Sequence, residues 1–197
     1  LLNKDSVSGY FLYLLCGYPV WSLLSGAMEQ GSRELGLRTS GGVPFLTIIL
    51  ERIVMNWLPF LYMLPLVVLG VLFFHQGSYA HILYLPVFLV LIWFWIIGVI
   101  SLLVVLISIF PDLKHLVNAL MRLAFLATPI IWELPRLGDY QQYIWVNPFF
   151  IPLESLRYSL SGIIHQESVL WLFPLYSLVL FIVGVFVLNS RLRKLKG

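Results

Sequence analysis

Charge is what this sequence has least of. Only 11% of its 197 residues are charged and 60% are apolar, whereas an average soluble domain carries about 25% charged residues. That shortage excludes an ordinary water-soluble domain, which could not bury so much apolar surface and would expose patches larger than monomers tolerate. Cysteine is nearly absent as well. Cys16 stands alone inside an apolar run, which rules out a disulfide within these residues and reads as a small buried hydrophobe. No G-x-x-x-x-G-K-[ST] phosphate loop occurs, so the chain has no nucleotide-driven motor of its own. His75, His81, His115 and His165 show none of the spacings of a metal site. No serine or cysteine has a plausible base beside it, and no pair of carboxylates faces another inside an apolar run. The net charge of +3 comes from scattered basic residues and a basic C-terminus, which speaks for membrane topology and against nucleic acid.

Long apolar runs are there instead. Segments at about 10–28, 53–74, 82–110, 116–132 and 169–188 each approach the length that a helix needs to cross a bilayer core of about 30 Å. The expectation is therefore an all-α membrane protein: a polytopic helical bundle of five transmembrane spans forming a single domain over 1–197, with short external re-entrant or interfacial helices. Five crossings put the two ends on opposite sides. Arg191, Arg193, Lys194 and Lys196 follow the last run directly, and such clusters stay in the cytoplasm. Arg33, Arg38, Arg52 and Lys114 then fall on the same side. The first ten residues lack a signal-peptide pattern and an initiator Met, so the chain reads as N-terminally incomplete.

Two candidate functional regions lie between the runs, and two polar residues of interest lie inside them. The segment 29–51 carries Glu29, Arg33, Glu34 and Arg38 beside Leu35 and Leu37, a charged amphipathic stretch that is either a solvated loop or a segment docking into a partner's groove. The segment 133–167 is too polar and proline-rich for a simple span and too apolar for an ordinary loop. In it, Asn147 and Pro148 make a helix start, a short helix follows over 149–160 and ends near Gly162, and Glu154 and Arg157 sit three apart on one face. Trp132, Tyr140, Tyr143, Trp145, Phe149 and Phe150 crowd this boundary. They form either an interfacial aromatic belt or a sugar-stacking collar at the mouth of a conduit, and composition does not choose between the two. Arg122 lies inside the fourth run, where an ionisable side chain either serves a conduit or subunit contact or snorkels to the headgroups. Asn56 reads as a polar group in a helix contact.

Several landmarks agree in order with one family. Gly17 to Trp21 leading into Ser25 to Gly31, Pro44, the turn Phe110-Pro111-Asp112, Thr128-Pro129-Ile130-Ile131-Trp132, and Asn147-Pro148-Phe149 with Glu154 and Arg157 closed by Leu160-Ser161-Gly162 resemble the permease subunits of ATP-binding-cassette exporters for lipid-linked polysaccharides. Pro111 departs from that pattern, where an arginine is usual. The resemblance implies a homodimer in the bacterial inner membrane that encloses a channel. It implies two copies of a separate ATPase, holding ATP and Mg, that grip Glu29, Arg33, Glu34 and Arg38, with no cofactor on this chain. It also implies an external gate helix carrying Asn147, Pro148, Glu154 and Arg157, and an interface helix and first span upstream that bring the intact subunit to six spans. The cargo would be a polyprenyl-diphosphate-linked glycan, with the O-antigen branch favoured over teichoic acid and capsule, and Arg38, Arg52 and Arg122 are candidates for the diphosphate. Two other readings stand beside it: an exporter of the same architecture for a drug or small lipid, and a polytopic glycosyltransferase or acyltransferase.

Overall fold

Where lipid is the solvent, each backbone N–H and C=O must find its partner within the protein, and a helix supplies it. The computed structural model describes residues 4–33, 45–74 and 79–196. These fold into six helices: α1 (Lys4–Ser32), α2 (Phe45–Phe74), α3 (Leu85–Ile109), α4 (Leu113–Ala127), α5 (Phe150–Ser161) and α6 (Ser168–Lys196), with no strand among the described residues. Four stretches, Val7–Ser32, Thr47–Phe74, Ala80–Ile109 and Ser168–Arg193, are long and apolar enough to cross a membrane, which marks the chain as a helical membrane protein. Pro19, Pro59, Pro65 and Pro174 lie inside these helices without ending them, as neighbouring elements permit in a membrane bundle.

The fourth expected span, 116–132, is shorter than its apolar run. The helix α4 has 15 residues and so a length of about 22 Å, less than a bilayer core. The cause is local: Thr128 precedes Pro129 and takes extended angles (φ −95°, ψ 138°), since the proline ring crowds the helical conformation of its predecessor. The Thr128 hydroxyl then donates to the Ala124 carbonyl at 2.6 Å and closes the last turn. The expected segment 29–51 also contracts, because α1 continues to Ser32 and α2 begins at Phe45. Glu34 and Arg38 lie outside the described residues.

Ring contacts give the helix directions. Phe11 packs on Phe74 while Arg52 reaches the Gln30 carbonyl, so α1 and α2 are antiparallel. Phe88 meets Phe173 and Phe94 meets Phe181, so α3 and α6 run the same way. Two glycines set the closeness of that pair. A Cβ on Gly98 would lie 2.5 Å from the Leu180 carbonyl oxygen, and one on Gly184 would run into the backbone of Gly98. Small residues let membrane helices approach in this manner. Since α3 and α6 are parallel, the chain must return between Ile109 and Ser168. The return starts along α4, where Phe125 packs on Trp21, and ends where Tyr10 donates to the Ile131 carbonyl at 2.6 Å. Arg33, Arg52, Lys114, Arg191 and Arg193 thereby gather at one end of the bundle, called here the Arg33 end. Tyr13, Trp132 and His165 mark the other.

The centre of the bundle is α1 and α3. Of the α3 stretch 67% is buried, against 22% for those of α2 and α6, which turn Leu66, Phe73, Trp171 and Phe186 outward. Residues 134–146 form 3₁₀ turns that break at Gly138 (φ 52°), and α5 ends at Gly162 (φ 73°), whose N–H bonds the Tyr158 carbonyl. Both positions need the left-handed region that glycine enters freely. The short α5 is the most deeply enclosed element. Ten of its 12 residues are buried, with Leu153 and Leu156 packed into the main core and Phe150 joined to Leu134, Ile144 and Val169 in a smaller one.

Candidate functional site

The spacing that put Glu154 and Arg157 on one face of a helix also brings their charges together, and the structure places both in the interior. Each is fully buried, with Arg157 Nη1 3.2 Å from Glu154 Oε2. The other guanidinium nitrogen, Nη2, donates to the Pro129 carbonyl at 2.5 Å, and the guanidinium carbon lies 3.8 Å from the centre of the Tyr13 ring. The Tyr13 hydroxyl shares its proton between the carbonyls of Pro129 (2.7 Å) and Trp132 (2.9 Å). One turn further along α1, Gly17 leaves the slot that the guanidinium fills: a Cβ there would come within 2.7 Å of Arg157 Nη2. On the carboxylate side, Glu154 Oε1 accepts the His165 backbone N–H at 2.8 Å and lies 2.8 Å from the ring Nδ1.

This arrangement joins four parts of the chain through one cation: α1, the turn after α4, α5, and the loop into α6. An unpaired buried ion is strongly disfavoured. Here the arginine has a carboxylate, a carbonyl and an aromatic face. Burial alone would raise the Glu154 carboxyl, but the hydrogen bonds from His165 and the charge of Arg157 hold it below the ordinary carboxylate range. The ion pair, the carbonyl contact and the ring contact tie α1, α5 and the turn after α4 together.

Beside it lies a cavity of about 810 Å³ between α4, the 3₁₀ turns and the start of α5. Leu120, Leu123 and Ala127 form one wall, Tyr140 and Tyr143 the other, and Trp132, Phe149 and Met28 lie between. Trp132 is held by its indole N–H, which donates to the Leu126 carbonyl at 2.9 Å, and the rings of Tyr140 and Tyr143 stand 6.3 Å apart. Asn147 sets the angle of this wall. Its amide donates to the Ala127 carbonyl and the Thr128 hydroxyl, and its side-chain oxygen accepts the Phe149 N–H at 2.9 Å. The helix that was expected over 149–160 begins at Phe150.

The six aromatics of the expected collar divide. Tyr140 and Tyr143 are well exposed and Trp132 is partly so, while Trp145 packs edge-on to Phe150. Phe149 is buried against Trp21 and Trp95, and Phe150 is enclosed entirely, offering no surface to a ligand. Arg122 is exposed on α4, where helical spacing aligns it with His115 and Asn118 and away from the leucines of the cavity. Pro148 is exposed at the cavity rim, and its carbonyl accepts from Tyr176.

At the opposite end, Glu29 and Arg33 form an exposed i,i+4 ion pair at 3.0 Å. Arg52 is buried and donates to the carbonyls of Gln30 and Arg33, each at 3.0 Å, so it caps α1 and is turned inward. Asn56 is buried against Gly26, whose missing side chain makes room for the amide. Neither atom of that amide has a hydrogen-bond partner among the described residues. Among those residues no group of three His, Cys, Asp or Glu is placed to hold a metal ion.

Sequence reasoning missed Tyr13, Gly17 and His165. The pair 13 and 17 shares a helix face, but that signal is ubiquitous, and His165 reads as an ordinary loop residue. No protein-family model and no curated protein matches the chain.

Proposed function

We propose that this chain is the transmembrane permease subunit of an exporter for lipid-linked polysaccharide, working as a homodimer in the bacterial inner membrane with a separate ATPase. The observation that carries the reading is the cavity at the junction of α4 and the 3₁₀ turns. It offers a hydrocarbon-lined wall for a polyprenyl chain and, at its rim, the exposed rings of Tyr140 and Tyr143 for sugar faces. The gathering of Arg33, Arg52, Lys114, Arg191 and Arg193 at one end supports a cytoplasmic location for that end. In this reading α4 and the turn after it make the fifth crossing. Of the described candidates for a diphosphate, Arg52 is turned inward onto carbonyls and Arg122 is exposed on the face of α4 that points away from the cavity leucines.

The nearly continuous apolar lining favours one other reading, an exporter of a small lipid, which would need no sugar platform. Deleting the gene in its own organism separates the two. Polysaccharide export predicts that lipid-linked glycan accumulates on the cytoplasmic face and that surface glycan disappears. Unchanged surface glycan with a retained small lipid rejects it in favour of the second reading.

A further inference from the structure

We propose that Arg157 is a positioning residue that latches the segment 134–161 onto α1, so that the wall of the cavity moves only with α1. The proposal rests on reading that cavity as the translocation surface. Arg157 is carried by α5, and α5 is joined to the 3₁₀ turns through Phe150, which packs with Leu134 and Ile144 and on Trp145. Tyr140 and Tyr143 therefore hang on the same body as Arg157. Gly138 (φ 52°) turns the backbone inside that body and Gly162 (φ 73°) ends it, both points where no side chain resists the turn.

Across the gap, α1 offers Tyr13 and the Gly17 slot to the cation, and the turn after α4 offers the Pro129 carbonyl. The Tyr13 hydroxyl closes the ring of contacts on the carbonyls of Pro129 and Trp132. The guanidinium Nε has no partner among the described residues, so the clamp grips by one face and one edge and leaves a donor in reserve. A fully buried guanidinium held by a carboxylate, a carbonyl and an aromatic face ties the elements that supply them to one another. α1 is a 29-residue helix of about 43 Å, and its far end carries Glu29 and Arg33. A displacement at the Arg33 end thus has a rigid path to the cavity wall.

The test uses the full chain in lipid nanodiscs. Spin labels at Tyr143→Cys and Leu66→Cys report the position of the 3₁₀ wall against α2, and labels at Leu66→Cys and Ile182→Cys report the bundle without it. Cys16, fully buried, stays in place. In Arg157→Met the first distance distribution should broaden roughly two-fold, as local release predicts, while the second stays as in the parent. Tyr13→Phe should give a smaller broadening of the first alone. If Arg157→Met does not fold, the doubly neutral Glu154→Gln/Arg157→Gln variant takes its place. An unchanged first distribution overturns the latch, and so does broadening of both pairs or failure of both variants to fold, since the cluster would then hold the whole bundle. The labels read motion whatever the cargo, so the latch can fail while the exporter reading stands, and the reverse.

Discussion

Two arginines grip α1, one at its C-terminal end and one at its middle turns, and they do so by different means. Arg52 reaches from α2 to the carbonyls of Gln30 and Arg33, the unsatisfied acceptors that every helix leaves at its C-terminus, where the macrodipole also favours a cation. Arg157 meets α1 at Tyr13 and Gly17, fully buried, and has a carboxylate, a carbonyl and the face of Tyr13. The difference follows from where each cation sits. At the C-terminus of α1 the open carbonyls themselves attract a cation, whereas a fully buried cation without a counterion is excluded.

The comparison predicts a graded series of effects. The largest falls on Arg157→Met, which strands the Glu154 charge and should cost about 3–5 kcal/mol of unfolding free energy, read by denaturant titration of the purified protein. Adding Glu154→Gln should restore most of it, and a double variant as unstable as the single one would mean that the ion pair is not the source. Next, Gly17→Ala places a methyl group against the guanidinium and should cost about 1–3 kcal/mol, with the loss abolished in an Arg157→Ala background if the slot is the reason. Arg52→Ala should cost about 1–3 kcal/mol, because it leaves the Gln30 and Arg33 carbonyls without that donor. A loss clearly larger than that at Arg157 would break the contrast drawn between the two arginines. Smallest is Arg33→Ala, which removes an exposed pair and should change stability by no more than about 0.5 kcal/mol. If the Arg33 end docks an ATPase, that same substitution should weaken co-purification of the partner while membrane insertion is unchanged.

Much of the framework was legible in the amino-acid order, since runs without charge have one stable outcome in lipid. The runs at 10–28, 53–74, 82–110 and 169–188 correspond to α1, α2, α3 and α6, of which α1, α2 and α6 are longer than their runs and α3 is slightly shorter. Glu29 and Gln30 belong to α1 because Arg52 caps the turn they form, a contact 22 residues distant in sequence. The end of α4 was misplaced by five residues because hydrophobicity continues to Trp132 while the backbone obeys Pro129. In the site, the i,i+3 spacing announced the pairing of Glu154 with Arg157 but not its depth. Depth depends on Tyr13 and Gly17, more than a hundred residues earlier, which carry no mark of their purpose. The aromatics behaved likewise: one compositional cluster supplied both exposed rings and the enclosed Phe150.

The glycine contact between α3 and α6 has a last consequence. With the Gly98 and Gly184 backbones touching, no acyl chain can slip between these two helices, and that seam is shut to lateral traffic.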